Sequence, residues 1–265
     1  MDWERFSQLV KLRDSGHVEE AILELSRLAE ETEDRLGKAL ALMEVVNGLR
    51  LLGRISDARD KVRDACELLG ARHEFYPRVA LQAAVLDLDE GNAKGALKKL
   101  DEILRKYIAV LQMEDHKDLL EEVYRNRGIA LAELKRFREA RPILERYRSE
   151  PYERERNLYY LGATEYELGD FGAAQSDLET MLTLNPTTVF RTYASEYLGR
   201  ILYDNGQIAR AKAQFEKCLA SADRDKGHDE ILLKWLVSSS KALNQTGDAA
   251  RYSEMLKKLA GSPDS

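Results

Sequence analysis

The chain has 265 residues, of which 44% are hydrophobic and 33% charged, and its formal net charge is −6. This balance is typical of a folded protein and argues against a largely disordered chain. The acidic total also argues against a nucleic-acid partner, because non-specific affinity for phosphate backbones needs clustered lysine and arginine. No membrane partner is expected, since the longest stretch without a charged residue, 180–190, is far shorter than the ~20 residues that span a bilayer.

The ends of the chain and its two cysteines indicate where the protein works. The N-terminus reads MDWERFSQLVKLRDSG, with early acids and no apolar run before a cleavage site. No secretory signal is therefore expected, and the predicted location is cytoplasmic. Cys66 and Cys218 fall among apolar positions and are interpreted as small buried side chains in a reducing compartment. At the C-terminus, residues 261–265 are expected to form a disordered tail.

The predicted elements begin with an α-helix near residues 2–15 that ends at Gly16, and the same signal recurs along the chain. Glycine suits a helix end because it adopts the left-handed conformation that caps the last carbonyls. A small residue follows five positions later in most units, which would let a second helix approach the first closely. The glycines are Gly16, Gly53, Gly91, Gly169, Gly206 and Gly247, with Lys135 in the glycine position of the fourth unit. The small residues are Ala21, Ala58, Ala96, Ala140, Ala174 and Ala211.

These signals are spaced by 37, 38, 44, 34, 37 and 41 residues, and self-similarity at this period predicts a helical solenoid. Pro142 is expected in about the first turn of its helix, where proline removes few hydrogen bonds. The apolar periodicity predicts fourteen helices. They run near 2–15, 18–34, 37–52, 56–69, 77–90, 93–112, 118–134, 137–149, 152–168, 171–184, 189–205, 208–222, 229–245 and 248–260.

The pattern resembles the tetratricopeptide repeat, and the fifth unit matches its consensus most closely through Leu161-Gly162, Gly169, Ala174, Leu178 and Asn185-Pro186. The sixth unit carries Leu198-Gly199, Gly206, Ala211, Phe215 and Leu219. The fourth has Tyr124, Gly128, Phe137, Ala140, Leu144 and Pro151, and the first three units are looser. The seventh keeps Gly247 but has Tyr252 where a small residue is usual, as a terminal cap would.

The resemblance implies an all-α fold, a right-handed α-solenoid of antiparallel helix hairpins in a single domain over 1–265. Because each repeat contacts only its neighbours, such an array can exceed the length of an ordinary single core. The expected units are 2–35, 39–72, 77–113, 118–151, 152–188, 189–225 and 229–260.

No set of residues in the sequence indicates catalysis, a cofactor or a metal ion. The four histidines, His17, His73, His116 and His228, fall in or beside predicted turns, lack metal-ligand spacing and are interpreted as solvated. The segment 87–92 is faintly similar to a calcium loop, but Asn92 stands where that loop needs glycine. No phosphate-binding glycine loop and no nucleophile elbow occur. We therefore expect a protein that is not an enzyme.

The candidate binding site follows from the resemblance, which implies that the first helix of each hairpin lines a concave groove. Tyrosine and arginine concentrate at the groove positions of the C-terminal half, and both are favoured in binding hot spots. The alternative is that the tyrosines pack between helices and only stabilise the stack. The candidates are Arg125, Asn126, Arg156, Tyr159, Tyr160, Tyr166, Tyr193, Glu196, Tyr197, Arg200, Tyr203, Lys234 and Lys241.

In the N-terminal half the groove positions are mostly apolar, which suggests either a second binding region or residues that tighter packing buries. Members of the family that clamp a terminal carboxylate use a lysine and asparagine pattern. Here Ile129 follows Arg125 where asparagine is needed, which disfavours that clamp. The apolar positions are Leu40, Met43, Leu81, Val85 and Leu88.

The first helix carries an apolar stripe of Trp3, Phe6, Leu9 and Val10. It is interpreted as core against the second helix, with self-association through this helix as the alternative.

The function that the resemblance implies is a non-catalytic interaction scaffold that holds a peptide or partner segment in its groove. Two alternatives are a regulatory sensor whose superhelix responds to a small ligand or signalling peptide, and an accessory subunit of an envelope or secretion assembly. Fold alone does not choose among them.

Overall fold

The structure, a computed structural model, describes residues 1–151, 153–184, 190–221 and 226–260. These residues form fourteen α-helices and two short 3-10 helices, with no strand among them. The α-helices are α1 Trp3–Asp14, α2 Val18–Glu31, α3 Arg35–Leu51, α4 Ile55–Leu69, α5 Tyr76–Asp89, α6 Ala93–Leu111, α7 Lys117–Glu133, α8 Phe137–Arg146, α9 Arg154–Glu167, α10 Phe171–Leu184, α11 Arg191–Asp204, α12 Ile208–Ala220, α13 Asp229–Ala242 and α14 Thr246–Ala260. The 3-10 turns are Glu114–His116 and Lys226–His228.

Every predicted helix is present, and its ends lie within three residues of the predicted ones. The largest differences are at C-termini, such as α8, which ends at Arg146 rather than near 149. Pro142 is the sixth residue of α8 and lies in the second turn, so the expectation of a first-turn proline is wrong. The predicted stop at Asn185-Pro186 and the predicted disordered tail lie outside the described residues.

The contacts between residues group the chain into two compact units, 1–136 and 137–265, which divide in the turn between α7 and α8. Within each unit every helix packs on the next one in sequence. In addition, α1, α3, α5 and α7 contact each other in succession in the first unit, as do α9, α11 and α13 in the second. This stacking of first helices on first helices is the arrangement of an all-α repeat solenoid.

Small residues let the helices of each hairpin approach closely. All six alanines that were predicted to lie at these crossings are fully buried, with 0% of their surface exposed. At two crossings a glycine faces a large side chain of the second helix. A Cβ atom added to Gly199 would lie 2.5 Å from Phe215 Cε1, and one added to Gly162 would lie 2.7 Å from Leu178 Cγ. The predicted role of the small residues is confirmed.

Left-handed residues end the first helices, as the glycine pattern predicts. The φ angles of the first five repeat glycines lie between 69° and 96°, and Lys135 adopts a φ of 60° in the fourth unit. The seventh unit differs, because Gly247 lies inside α14 and Asn244 takes the left-handed position with a φ of 58°. Asparagine tolerates this conformation better than most residues. Ala249 then stands five residues later, so the predicted register of this unit was wrong by three residues.

Ion pairs connect successive first helices of the first unit. Arg13 of α1 pairs with Glu44 of α3. Arg50 Nε of α3 lies 2.6 Å from Asp89 Oδ2 of α5, and Arg78 Nη2 of α5 lies 2.9 Å from Asp118 Oδ2 of α7. We call these three pairs the rungs; in each of them the base belongs to the earlier helix. Such partly exposed pairs contribute about 0–1 kcal/mol each.

Among the described residues, no helix combines the length and the apolar character that crossing a bilayer would require.

Candidate functional site

The second unit carries an aromatic surface on its first helices α9, α11 and α13. It consists of ring side chains that are connected by contacts with one another and, at one end, with Arg200. The helical period of these elements brings the rings together, because residues three or four positions apart share one face. The members of the aromatic surface are Tyr159, Tyr160, Tyr166, Phe190, Tyr193, Tyr197, Tyr203 and Trp235.

Tyr159 lies at one end of the aromatic surface and contacts four other rings. Its centroid is 5.0 Å from that of Tyr160 and 5.0 Å from that of Phe190, on which it stacks at an interplanar angle of 19°. Tyr193 and Tyr197 follow at 6.1 Å and 6.3 Å. These distances are within the range in which aromatic pairs attract one another. The rings therefore support each other as a preformed surface.

Arg200 lies at the other end of the aromatic surface and connects three rings. Its Cζ atom is 4.6 Å from the centroid of Tyr197, 5.5 Å from Trp235 and 5.9 Å from Tyr166. The guanidinium donates from Nε to Glu196, while Nη1 lies 3.7 Å from a carboxylate oxygen of Glu167. Because 3.7 Å is too long for a hydrogen bond, the outer edge of the guanidinium is held mainly by charge and ring contacts. Such an edge can donate two parallel hydrogen bonds to a planar acceptor.

Glu196 lies beneath this surface and is buried, with 1% of its surface exposed. One of its carboxylate oxygens accepts from Arg200, and the other lies 3.1 Å from His228 Nε2. His228 also packs edge-on against Tyr193, with centroids 4.6 Å apart. Glu196 therefore positions Arg200, and no ligand could reach its carboxylate without a rearrangement.

The expectation that the turn histidines are solvated is wrong for two of them. His228 and His116 are only 7% and 5% exposed. His228 is held by Glu196, and His116 packs on Phe75 with centroids 5.5 Å apart. Each directly precedes a first helix, and the packing of that helix on the preceding repeat covers the ring.

The hydroxyls of Tyr159, Tyr166 and Tyr197 stay protonated at neutral pH. Burial raises the pKa of Tyr159 well above its usual value and raises that of Tyr197 to about 12. Burial and the nearby Asp204 carboxylate also raise the pKa of Tyr166, whose hydroxyl donates to Asp204 Oδ2 at 2.7 Å. The surface therefore offers neutral hydroxyl groups beside one cation.

The remaining sequence candidates are not part of the aromatic surface. Arg125 and Asn126 belong to α7 in the first unit and are buried, at 4% and 1% exposure. Arg156 is half-buried near the start of α9, with a 3.8 Å ion pair to Glu153. Lys234 and Lys241 are exposed on α13, and Lys234 pairs with Glu230 of the same helix.

The apolar groove positions of the first unit support the burial alternative. Leu81 is completely buried, Val85, Leu88 and Met43 are between 3% and 7% exposed, and Leu40 is half-buried. These side chains belong to the core between α3, α5 and their partner helices rather than to an open surface.

Two members of the aromatic surface, Phe190 and Trp235, were missed in the sequence. Trp235 was missed because the register of the seventh unit was placed three residues too late. Counted from Asn244, Trp235 occupies the same position as Tyr197 does relative to Gly206. The asparagine at the helix end, followed by an alanine five residues on, is the signal that would have identified it.

Both cysteines are free thiols. Burial raises the pKa of the Cys218 thiol to about 11 and also raises that of Cys66, so both remain thiols at neutral pH. Cys218 is buried as expected, whereas Cys66 is only half-buried. In the part of the chain that the structure describes, no group of three histidine, cysteine, aspartate or glutamate residues is placed to hold a metal ion.

The profile of the family described as tetratricopeptide repeat matches residues 198–225, which include the second half of α11 and all of α12. A search of curated proteins by sequence gives no match.

Three solved structures illustrate the likeness in fold. PilF of Pseudomonas aeruginosa is 21% identical, with 86% of this chain and 95% of that one covered at a TM-score of 0.60. PilW, described as a type IV pilus biogenesis factor, is 18% identical, with coverages of 85% and 95% and a TM-score of 0.62. The quorum sensor NprR of B. thuringiensis, in its apo form, is 16% identical, with coverages of 98% and 75% and a TM-score of 0.74. At these identities the likeness concerns the fold.

Proposed function

Because the chain is a tetratricopeptide-repeat protein, we propose that it acts as a non-catalytic scaffold that binds a peptide or partner segment on its aromatic surface. The observation that supports this is a group of eight rings, connected by ring contacts and by Arg200, on three successive first helices and the residue before α11. Tyrosine and tryptophan supply large contact areas with few rotatable bonds, which lowers the entropy lost on binding.

The chemistry of the aromatic surface favours an extended ligand with acidic or amide groups. The outer edge of the Arg200 guanidinium would donate charge-assisted hydrogen bonds to a carboxylate or a carbonyl. The tyrosine rings would stack on side chains or peptide planes, while Glu196 and His228 hold Arg200 from below. A longer ligand would also meet the positively charged side chains of Arg156, Lys234 and Lys241.

The test begins with affinity capture from the native cell and mass spectrometry, which supply a partner for calorimetry. Replacing Tyr166 and Tyr203 together by alanine should weaken binding of that partner by at least ~2 kcal/mol, because two rings that contact the partner are lost. Helicity by circular dichroism should change little.

The matched control replaces the exposed Glu179 and Lys217 of the second helices by alanine, and its affinity should equal that of the wild type. Wild-type affinity in the double tyrosine variant would place the binding site elsewhere. Loss of helicity in that variant would mean that the rings stabilise the stack rather than bind.

A sensor is the second candidate function, and it is favoured by the likeness in fold to the quorum sensor over 98% of this chain. In that case a small ligand or signalling peptide would change the curvature of the array. A ligand-induced shift in the radius of gyration by X-ray scattering would support the sensor, whereas binding at constant radius would support the scaffold.

An accessory role in an envelope assembly is a third candidate, which the fold likeness to the pilus biogenesis factor supports only at the level of architecture. The cytoplasmic location is a separate proposal. Fractionation of the native cell would distinguish the two locations.

A further inference from the structure

Two carboxyl groups are buried against each other in the hairpin of α9 and α10. Glu165 of α9 has 0% of its surface exposed and Asp177 of α10 has 6%. The two helices approach each other closely one turn away, since a Cβ atom on Gly162 would be 3.3 Å from the backbone oxygen of Ala174. Buried acids normally have a cation each or a set of hydrogen-bond donors, because an unpaired buried charge is costly.

A single arginine contacts both carboxyl groups. Arg148, in the connection after α8, places Nη2 2.6 Å from Glu165 Oε1 and 3.1 Å from Asp177 Oδ2. Since one nitrogen reaches both acceptors, the two carboxyl groups are neighbours. The arginine side chain is 43% exposed, so it closes the buried pair from the solvent side.

The other charged groups near the pair form ion pairs with one another. Arg141 of α8 lies 2.8 Å from Asp170 at the start of α10 and 2.7 Å from Glu145 of its own helix. Its charge acts on Glu165 only from a distance, and Glu145 opposes ionisation of Asp177. In the described part of the chain, Arg148 is the one cation that forms an ion pair with either buried carboxyl group.

When both carboxyl groups are ionised, the two acids and Arg148 together carry one uncompensated negative charge. Two negative charges then face one positive charge, and Glu165 Oε2 has no hydrogen-bond donor. A proton held between the carboxyl groups balances the charge and supplies the missing donor, as in other close carboxyl pairs. Burial and then the neighbouring Asp177 raise the pKa of Glu165 to about 7, and burial also raises the pKa of Asp177.

We propose that Glu165 and Asp177 share a proton and, together with Arg148, form a proton-dependent latch that fastens the connection after α8 to the hairpin of α9 and α10. The latch is closed when the proton is present and is weakened when it leaves. Along the chain it adjoins the aromatic surface, since Tyr166 directly follows Glu165 in α9. The latch does not depend on the proposed scaffold function.

The direction of the pH effect follows from the raised pKa. The folded protein holds the proton more tightly than the unfolded chain, in which the usual glutamate pKa of 4.5 applies. The stability from the latch is therefore fully present below about pH 4.5 and is lost as the pH rises through about 7. Across that window the opening constant of the hairpin should rise by up to about tenfold per pH unit. Ordinary salt bridges of acids act in the opposite direction.

The test measures the pH dependence of stability in the full chain between pH 5 and 7.5. The urea midpoint of the wild type should fall over this range. Glu165→Gln keeps the shape and the hydrogen-bonding capacity but needs no proton, so its midpoint should fall less and exceed the wild-type midpoint at pH 7.5. The control Glu179→Gln removes an exposed acid of α10 and should keep the wild-type profile. Equal slopes for the wild type and Glu165→Gln would overturn the latch.

A second measurement uses only the wild-type protein. NMR titration of the wild type with ¹³C-labelled glutamate carboxyl groups should show one glutamate that titrates above pH 6. Titration of every glutamate below pH 5.5 would overturn the proposal. Hydrogen exchange, corrected for intrinsic rates, should place the pH-dependent opening in peptides from 154–184 and not in the first unit.

Discussion

At the residue scale, the tightest contacts of the second unit occur where a glycine of a first helix faces a large side chain of the second. Gly199 packs against the ring of Phe215, which is itself completely buried. Gly172, near the start of α10, has no atom within 4 Å of the position that a Cβ would take, apart from its adjacent residues and its own helix backbone. The two glycines therefore separate the effect of packing from the effect of helix propensity.

Gly199→Ala should lower the free energy of unfolding by about 1–3 kcal/mol, because the added methyl group overpacks the crossing with Phe215. Gly172→Ala should instead be neutral or stabilise by up to ~1 kcal/mol, since alanine favours the helix and meets no neighbour. Urea denaturation of both variants measures the difference. A neutral Gly199→Ala would mean that α11 and α12 are farther apart than the structure places them.

Much of this residue-scale detail could be predicted from the sequence, and the exceptions have physical causes. The buried alanines and the left-handed Lys135 follow from local spacing alone. The burial of His116 and His228 does not, because it depends on how the next helix packs on the preceding repeat. The Glu165 and Asp177 pair was also missed, since a single sequence cannot distinguish a buried carboxyl group from one on a solvated helix face.

At the element scale, the helices differ in how their first amide groups are satisfied. Asn92 caps α6, and its side-chain oxygen accepts from the Gly95 amide at 3.0 Å. Gln207 holds the same position before α12 without a side-chain capping bond. The two residues are a matched pair, because each is a side-chain amide that precedes a second helix.

Asn92→Ala should cost about 0.5–2 kcal/mol of stability through the lost cap, whereas Gln207→Ala should change stability by a few tenths of a kcal/mol or less. Thermal unfolding followed by circular dichroism compares the two. If both substitutions cost the same, the bond to Gly95 contributes nothing, and the difference between the two helix starts has no energetic meaning.

The positions of the helices were predicted well because apolar periodicity and glycine both act locally. Their ends were predicted less well where a tertiary contact decides them. The predicted register of α13 and α14 was wrong for another reason, since Asn244 takes the left-handed position that glycine takes in other units. That error also hid Trp235, so one misplaced turn removed a ring from the predicted site.

At the scale of the whole molecule, the sequence predicts a single domain, while the contacts group into two compact units. The two tryptophans report on them separately, because Trp3 lies in the first unit and Trp235 in the second. In Trp3→Phe, fluorescence follows the second unit alone, whereas circular dichroism at 222 nm follows every helix.

If the solenoid is one cooperative domain, the urea midpoints from fluorescence and circular dichroism in Trp3→Phe should coincide. In such arrays, neighbouring repeats unfold together when the interfaces between them are strong. Separate midpoints would show that the units unfold independently and that the single-domain prediction is wrong. Trp3 is 55% exposed, so its replacement should disturb stability little.

The rungs of the first unit have a consequence for how such a chain can lengthen. Arg13 and Arg50 each stand three residues before the glycine that ends their helix, and Arg13 pairs with Glu44 of α3. If α3 and α4 were duplicated in tandem, Arg50 of the original would therefore face Glu44 of the copy, as Arg13 faces Glu44 now. The new junction would be electrostatically matched before any further substitution, so gene duplication could extend this unit without a charge conflict.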